Sequence, residues 1–198
     1  HSTLSSAASD VASDPERSLL RAGGIDLMDR LKEGLEAPDQ LVELRRVAEA
    51  PELRKLETSG QARIGALVNL ARLHDGGLPD SMAALTEAAG QAATPGIRNI
   101  ATVGGNLLQR PRCWYFRNEE LVCLKKGGDV CLAVQGDARY HAILGGGPSY
   151  IVHPSSLGSP LVALDASVDI LKTDGKTSTL PIEQLFVSPA EDTSREHR

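Results

Sequence analysis

The sequence predicts an α+β chain, and three observations carry that prediction. Short apolar runs of strand length alternate with segments whose apolar residues recur at helical spacing. Two glycine pairs, Gly23-Gly24 and Gly104-Gly105, stand between such segments. Towards the end, two extended runs flank Thr173-Asp174-Gly175-Lys176, which reads as a hairpin with a two-residue turn.

Residues 1–17 (HSTLSSAASDVASDPER) are rich in Ser, Ala and Asp and are expected to be flexible, or at most a short helix. SLLRAGG reads as a short buried strand running into glycine. IDLMDRLKEGL follows, with Ile25, Met28, Leu31 and Leu35 at helical spacing. LVEL, residues 41–44, is a second short strand beyond the Pro38-Asp39 turn signal. Residues 53–72 read as two strands around a Ser59-Gly60 turn, then a helix over about 67–74 that Asp75-Gly76-Gly77 stops. Pro79-Asp80-Ser81 opens another helix, with Met82, Leu85 and Ala89 on one face. TPGIRNIATVGGN is expected to be a loop with short extended pieces. SLGSPLVALDA reads as a helix, and SVDILKT and KTSTLPI as strands.

The chain has 198 residues, 24% charged and 41% hydrophobic, with net charge −5. That is enough for one compact domain or two small lobes. No apolar run approaches the roughly 18 residues that span a bilayer, so membrane insertion is not expected. No signal peptide is visible, and the expected location is cytoplasmic, or periplasmic if the chain is exported with a partner. A mildly acidic chain is a poor nucleic-acid binder. Five of the six aromatic residues and all three cysteines fall within residues 113–150. Three cysteines close no disulfide framework, so metal or redox chemistry is the use to test. No nucleophile–His–acid set can be assembled from the sequence, and His74 at a helix end is assigned to terminal carbonyls.

Glycine lets backbone N–H groups approach an anion, and the positive end of a following helix adds attraction. Two such loops facing each other suit the phosphates of a dinucleotide. On spacing alone a tight turn is the competing reading, and neither pair is the G-x-G-x-x-G fingerprint of a nicotinamide site.

R-A-G-G-I-D-L resembles the A-G-G-T-D-L-L segment of the flavin subunits of molybdenum hydroxylases, the xanthine dehydrogenase and carbon monoxide dehydrogenase group. I-R-N-I-A-T-V-G-G-N is similar to their second flavin motif, and HPSSLGSPLVALDASVDIL to the segment that follows. The resemblance covers residues 18 to about 190. It implies a two-lobed FAD-binding domain of the PCMH (vanillyl-alcohol oxidase-like) type, with a first lobe over 18–58 and a second over 59–190. It also implies that Arg21, Ala22, Gly23, Gly24, Ile25, Asp26 and Leu27 wrap the FAD diphosphate and ribityl region. Ala101, Thr102, Gly104, Gly105 and Asn106 would form the opposing loop, with Ser156 and Leu157 beside it. Two positions depart from the family: Ile25 replaces a Thr, and Ser156 replaces the Asp of H-P-S-D-L. The family's small C-terminal α/β domain is not in this sequence, which suggests a fragment of a longer protein.

Residues 107–152 are an insertion between the second motif and HPSSL. It resembles the insertion in the flavin subunits of 4-hydroxybenzoyl-CoA reductase and periplasmic aldehyde oxidoreductases, whose four cysteines bind a [4Fe–4S] cluster. Here Cys113, Cys123 and Cys131 are spaced C-x9-C-x7-C, and Ser149 stands at the fourth ligand position. Three readings stay open: a cluster on three Cys with Ser149 or an outside ligand, an insertion that keeps its fold without a cluster, and a zinc site that adds His141 or His153. Arg112, Arg117, Lys125 and Lys126 would offset a thiolate cluster's charge, or else form a solvated loop surface. His153-Pro154 is expected to order the return from the insertion.

The implied function is electron transfer by the FAD-binding subunit of a molybdenum-dependent hydroxylase, partnered by a molybdopterin-binding large subunit and a [2Fe–2S] small subunit. A non-catalytic metal-binding or assembly module that has lost flavin is the alternative, kept open by Ile25 and Ser156.

Overall fold

Thr3 starts the first helix with a capping box. Its hydroxyl accepts the Ser6 N–H while the Ser6 hydroxyl faces the Thr3 backbone, fixing α1 (Leu4–Ser13). The computed structural model describes residues 3–59 and 61–197. Most of the 1–17 segment thus takes the short-helix reading, because Ala7 packs into a small core with Val42, Val47, Ala50 and Leu67. The expectations for His1 and Ser2 lie outside the described residues.

β1 (Ser18–Arg21) and β2 (Gln40–Glu43) pair in parallel, with Ser18 opposite Gln40 and Arg21 opposite Glu43. Parallel neighbours need a crossover, and α2 (Ile25–Lys32) supplies it. β3 (Leu56–Glu57) and β4 (Arg63–Ile64) form a short antiparallel pair; the turn expected between them includes Gly60, outside the described residues.

α3 (Leu70–Asp75) starts later than expected because residues 66–67 form a turn and Asn69 is taken up in an antiparallel bridge with Thr102. Val68 O accepts from Val103 N at 2.8 Å and Leu70 N donates to Ala101 O at 3.0 Å. Asn69 Oδ1 then caps the helix on Arg72 N at 2.7 Å. A 3-10 turn, Asp80–Met82, leads into α4 (Ala83–Gln91). His74 bonds the Thr86 carbonyl of α4, at 3.1 Å, and not the end of its own helix.

Residues 94–107 are not the expected loop. They hold α5 (Pro95–Arg98) and α6 (Val103–Leu107), capped by the hydroxyls of Thr94 and Thr102. The insertion carries α7 (Trp114–Arg117) and 3-10 turns at Leu124–Lys126 and Leu132–Val134. α8 (Gly158–Ala163) precedes the hairpin of β5 (Ser167–Leu171) and β6 (Thr177–Pro181). Its loop has three residues and not two: Lys172 pairs with Lys176, Gly175 N donates to Lys172 O, and Gly175 takes φ +79°. That is a type I turn closed by a left-handed glycine.

The larger core joins Val68, Leu70, Leu73, Leu85, Leu157 and Leu185 with their neighbours. Leu67 belongs to the smaller core and Val68 to the larger, so the chain passes between the two at that step.

The cations of the insertion are structural. Arg117 reaches Asp26 at 2.6 Å and Glu33 at 3.1 Å, and Arg112 reaches Asp29 at 3.3 Å. Lys125 and Arg110 meet the buried Glu196 at 2.6 and 2.7 Å. The half-buried Lys126 bonds the Asn118 carbonyl. Each of these side chains is thus bonded within the protein. Among the described residues no helix is long and apolar enough to cross a membrane.

Candidate cofactor sites

The two glycine motifs meet in space at Gly23. A Cβ there would lie 2.1 Å from the Ile100 carbonyl oxygen, so the absent side chain is what lets the motifs touch. Gly24, at φ +81°, turns the chain into α2 and is its N-cap. Having no side chain, it leaves the first-turn N–H groups of Ile25, Asp26 and Leu27 without a side-chain cap. Beside it, Arg21 Nε is buried with no hydrogen-bond partner, 3.2 Å from where a Gly24 Cβ would stand. Another nitrogen of Arg21 is 3.4 Å from Glu43. An uncapped helix start next to an orphaned cationic donor is a site that an anion completes.

The second loop is held by its own hydrogen bonds. Its N–H groups are spent inside the protein: Val103 on Val68 O (2.8 Å), Gly104 on Ala66 O (2.9 Å), Asn106 on Thr102 O (2.8 Å) and Ala101 on Ile97 O (2.8 Å). Gly105 N bonds the Thr102 hydroxyl at 3.1 Å. Asn106 Oδ1 accepts from Ser155 Oγ at 2.8 Å and from Leu157 N at 3.2 Å, clamping the HPSSL segment. These bonds fix the loop against the rest of the protein. Ser156 is exposed, whereas Leu157 is wholly buried in the larger core.

In the first loop, Ala22 packs on the smaller core and Leu27 is buried. Asp26 is a hub, 3.1 Å from Arg30 Nε, 2.6 Å from Arg117 and accepting the Arg110 N–H at 3.1 Å. Its carboxylate ties α2 to the insertion. Sequence reasoning missed that hub, and the only signal for it was the run of arginines at 110, 112 and 117.

In the insertion, Cys113, Cys123, Cys131 and Ser149 line one cavity of about 10 Å³, with Tyr115 and Phe116 on its wall. Ser149 is 2% exposed. Burial pushes the Cys113 thiol up, and the other two cysteines add to the effect. His141 Nε2 lies 3.1 Å from Cys113 Sγ, and its Nδ1 is buried without a partner. The structure thus forms a Cys–His pair where the sequence offered no nucleophile–His set. A thiol with a raised pKa and an imidazole with no orienting acceptor do not make an activated nucleophile. His153 faces His197 instead, Nε2 to Nε2 at 3.1 Å. Among the described residues no three His, Cys, Asp or Glu side chains are gathered to hold one metal ion.

The family model described as FAD binding domain in molybdopterin dehydrogenase matches residues 2–198. The chain belongs to this family. It is 36% identical over 174 residues to the FAD-binding subunit of an aldehyde oxidoreductase from Escherichia coli (strain K12), a match covering 85% of this chain and 53% of that subunit. Over 87 residues it is 34% identical to the nicotinate dehydrogenase FAD-subunit of Eubacterium barkeri, covering 43% of this chain and 29% of that one. The carbon monoxide dehydrogenase of Hydrogenophaga pseudoflava superposes with a TM-score of 0.60 at 21% identity, covering 94% of this chain and 50% of that one. Quinoline 2-oxidoreductase from Pseudomonas putida 86 gives 0.59 at 20% identity over 94% of this chain and 50% of its own. These superpositions carry the fold: the α+β flavin domain expected from the sequence is the architecture observed. The chain spans about half the length of the aldehyde oxidoreductase subunit and of both solved chains. FAD is accordingly the cofactor of this domain.

Proposed function

We propose that this flavin domain forms the electron-transfer arm of a molybdenum-dependent hydroxylase. It would take electrons from a partner's [2Fe–2S] clusters and pass them to an external acceptor, with substrate oxidised at a molybdopterin centre on another subunit. FAD, when bound, supplies the exchange between paired and single electrons.

The observation that carries this reading is the orphaned Arg21 Nε beside the uncapped start of α2. A diphosphate there would accept from the guanidinium and from the N–H groups of Ile25, Asp26 and Leu27. Ala101, Thr102, Gly104, Gly105 and Asn106 hold the facing wall, and Ser156 and Leu157 follow the Asn106 clamp. Ile25 needs no hydroxyl for this role, since its backbone N–H is what the anion meets.

Equilibrium titration with FAD and with riboflavin, followed by flavin fluorescence, tests it. Arg21→Ala is expected to weaken FAD roughly ten- to a hundredfold, the worth of a charged hydrogen bond, and riboflavin hardly at all. Equal loss for both flavins would remove the diphosphate from this site. No binding of either by the wild-type chain would leave the assembly-module alternative in its place.

For the insertion we propose a [4Fe–4S] cluster on Cys113, Cys123 and Cys131 with Ser149 as the fourth donor. Support comes from the donor set, since three thiols and one buried hydroxyl share a cavity. Soft sulfur suits iron–sulfur clusters, and one oxygen donor weakens the set. The cavity has room for about one water, so loading has to part the short segments that carry the thiols. A cluster predicts iron and sulfide after anaerobic reconstitution, and a Ser149→Cys variant that retains iron longer in air. A wild-type chain that takes up no iron would end this reading.

A further inference from the structure

We infer, on the diphosphate site proposed above, that Arg45 is a positioning residue for the flavin. By occupying the Glu43 carboxylate it leaves Arg21 to the FAD diphosphate.

The register of the parallel strands sets up a competition. Arg21 and Glu43 stand opposite each other at the carboxyl ends of β1 and β2. Opposite charges so placed attract, and a bond between them would be about 2.7–2.9 Å long. The observed contact is 3.4 Å, and Arg21 Nε is buried with no hydrogen-bond partner.

Glu43 is taken up from its other side. Its side chain caps the 3-10 turn Leu44–Arg46, with Oε1 accepting the Arg45 N–H at 3.2 Å. Arg45 Nε donates to the same oxygen at 2.8 Å, and a terminal nitrogen donates to Oε2 at 2.9 Å. This is the two-pronged pairing that a planar guanidinium makes and an ammonium cannot. Arg54 donates to the Arg45 carbonyl at 3.3 Å, so the turn is tied down as well. Arg45 thus meets Glu43 from a backbone already fixed, which lowers the entropy lost in pairing. Two cations share one anion here. The cation left over is Arg21, which lies against Gly24 at the uncapped start of α2.

The test is equilibrium titration of the chain with FAD and with riboflavin. Arg45→Ala frees Glu43 to close on Arg21, and is expected to weaken FAD while riboflavin binds as before. The Arg21 and Arg45 side chains are 36% and 41% exposed, so the contest runs partly in water. The expected loss is therefore about two- to fivefold, the size of a partly exposed ion pair. Adding Glu43→Gln to Arg45→Ala removes the competing carboxylate and is expected to bring FAD affinity back close to wild type. Arg45→Lys keeps the charge without the two-pronged pairing, and is expected to fall between wild type and Arg45→Ala. Unchanged FAD affinity in Arg45→Ala overturns the inference, and so does a double variant that recovers nothing. Wild-type affinity in Arg45→Lys would leave charge alone at work and overturns the positioning role. Equal loss of both flavins in Arg45→Ala, with Arg21→Ala still selective for FAD, overturns the inference and leaves the diphosphate site standing. Equal loss of both flavins in Arg21→Ala overturns the site and the inference together.

Discussion

Gly23 and Gly105 look alike in the sequence and differ in what surrounds them. A Cβ on Gly23 would press on the Ile100 backbone, which has no rotamer with which to yield. A Cβ on Gly105 would meet only the Thr102 hydroxyl, at 3.0 Å, inside a helix that alanine favours. Gly23→Ala is therefore expected to cost about 1–3 kcal/mol, the usual range for overpacking, and to lower FAD retention as the motifs separate. Gly105→Ala should cost less stability than Gly23→Ala, since the Thr102 side chain can give where the Ile100 backbone cannot. Urea midpoints and flavin content of the two variants check this, and equal damage would contradict it. The contrast also marks a limit on the sequence. A glycine pair signals that side chains are unwelcome, but a close approach, a left-handed turn and a helical first turn leave the same letters. Asp26 makes the same point: its place in the motif was legible, but its partners Arg110 and Arg117 lie 84 and 91 positions away, beyond any local pattern.

At the scale of elements, the strands and helices α2, α4 and α8 were legible because each carries its own period. α5 and α6 were not, and α1 was legible only as the alternative to a flexible segment. Ala7 earns its place in a helix through a distant core, and α6 depends on one threonine cap over two glycines. The insertion shows the same dependence in stronger form. It has little regular structure, and long-range ion pairs fasten it to the rest of the molecule. Glu196, 1% exposed, sits between Lys125 of the insertion and Arg110. Removing one member strands buried charge, so Glu196→Ala is expected to destabilise the fold by about 3–5 kcal/mol. Glu52→Ala, which breaks an exposed pair with Lys55, should leave the midpoint where it is. Chemical denaturation of both variants decides the matter, and a small effect at Glu196 would show the insertion to be held by other contacts.

At the scale of the whole molecule, the C-terminal strip closes the structure through two histidines. His197 lies in an antiparallel bridge with Phe186, and its ring meets His153 from the segment that leaves the insertion. Ser155 N donates to His153 Nδ1 at 3.3 Å, so the His153 proton sits on Nε2 and points at His197. The remaining ring nitrogen of His197 bonds the Leu107 carbonyl at the end of α6. This chain of bonds works only with both rings neutral. Burial, with His197 beside it, pushes His153 down from 6.5 to about 4, and burial also lowers His197. Below pH 6.5 the unfolded chain therefore takes up protons that the folded one refuses. The stabilisation is complete above that value and is lost as the pH falls towards 4. For His153 alone the loss amounts to up to about 3 kcal/mol. Urea midpoints at about pH 7.5 and about pH 5 should differ accordingly in the wild-type chain. His153→Gln, which cannot charge, should narrow the gap. An undiminished gap in that variant would assign the acid sensitivity to other groups and leave the histidine contact a packing feature only.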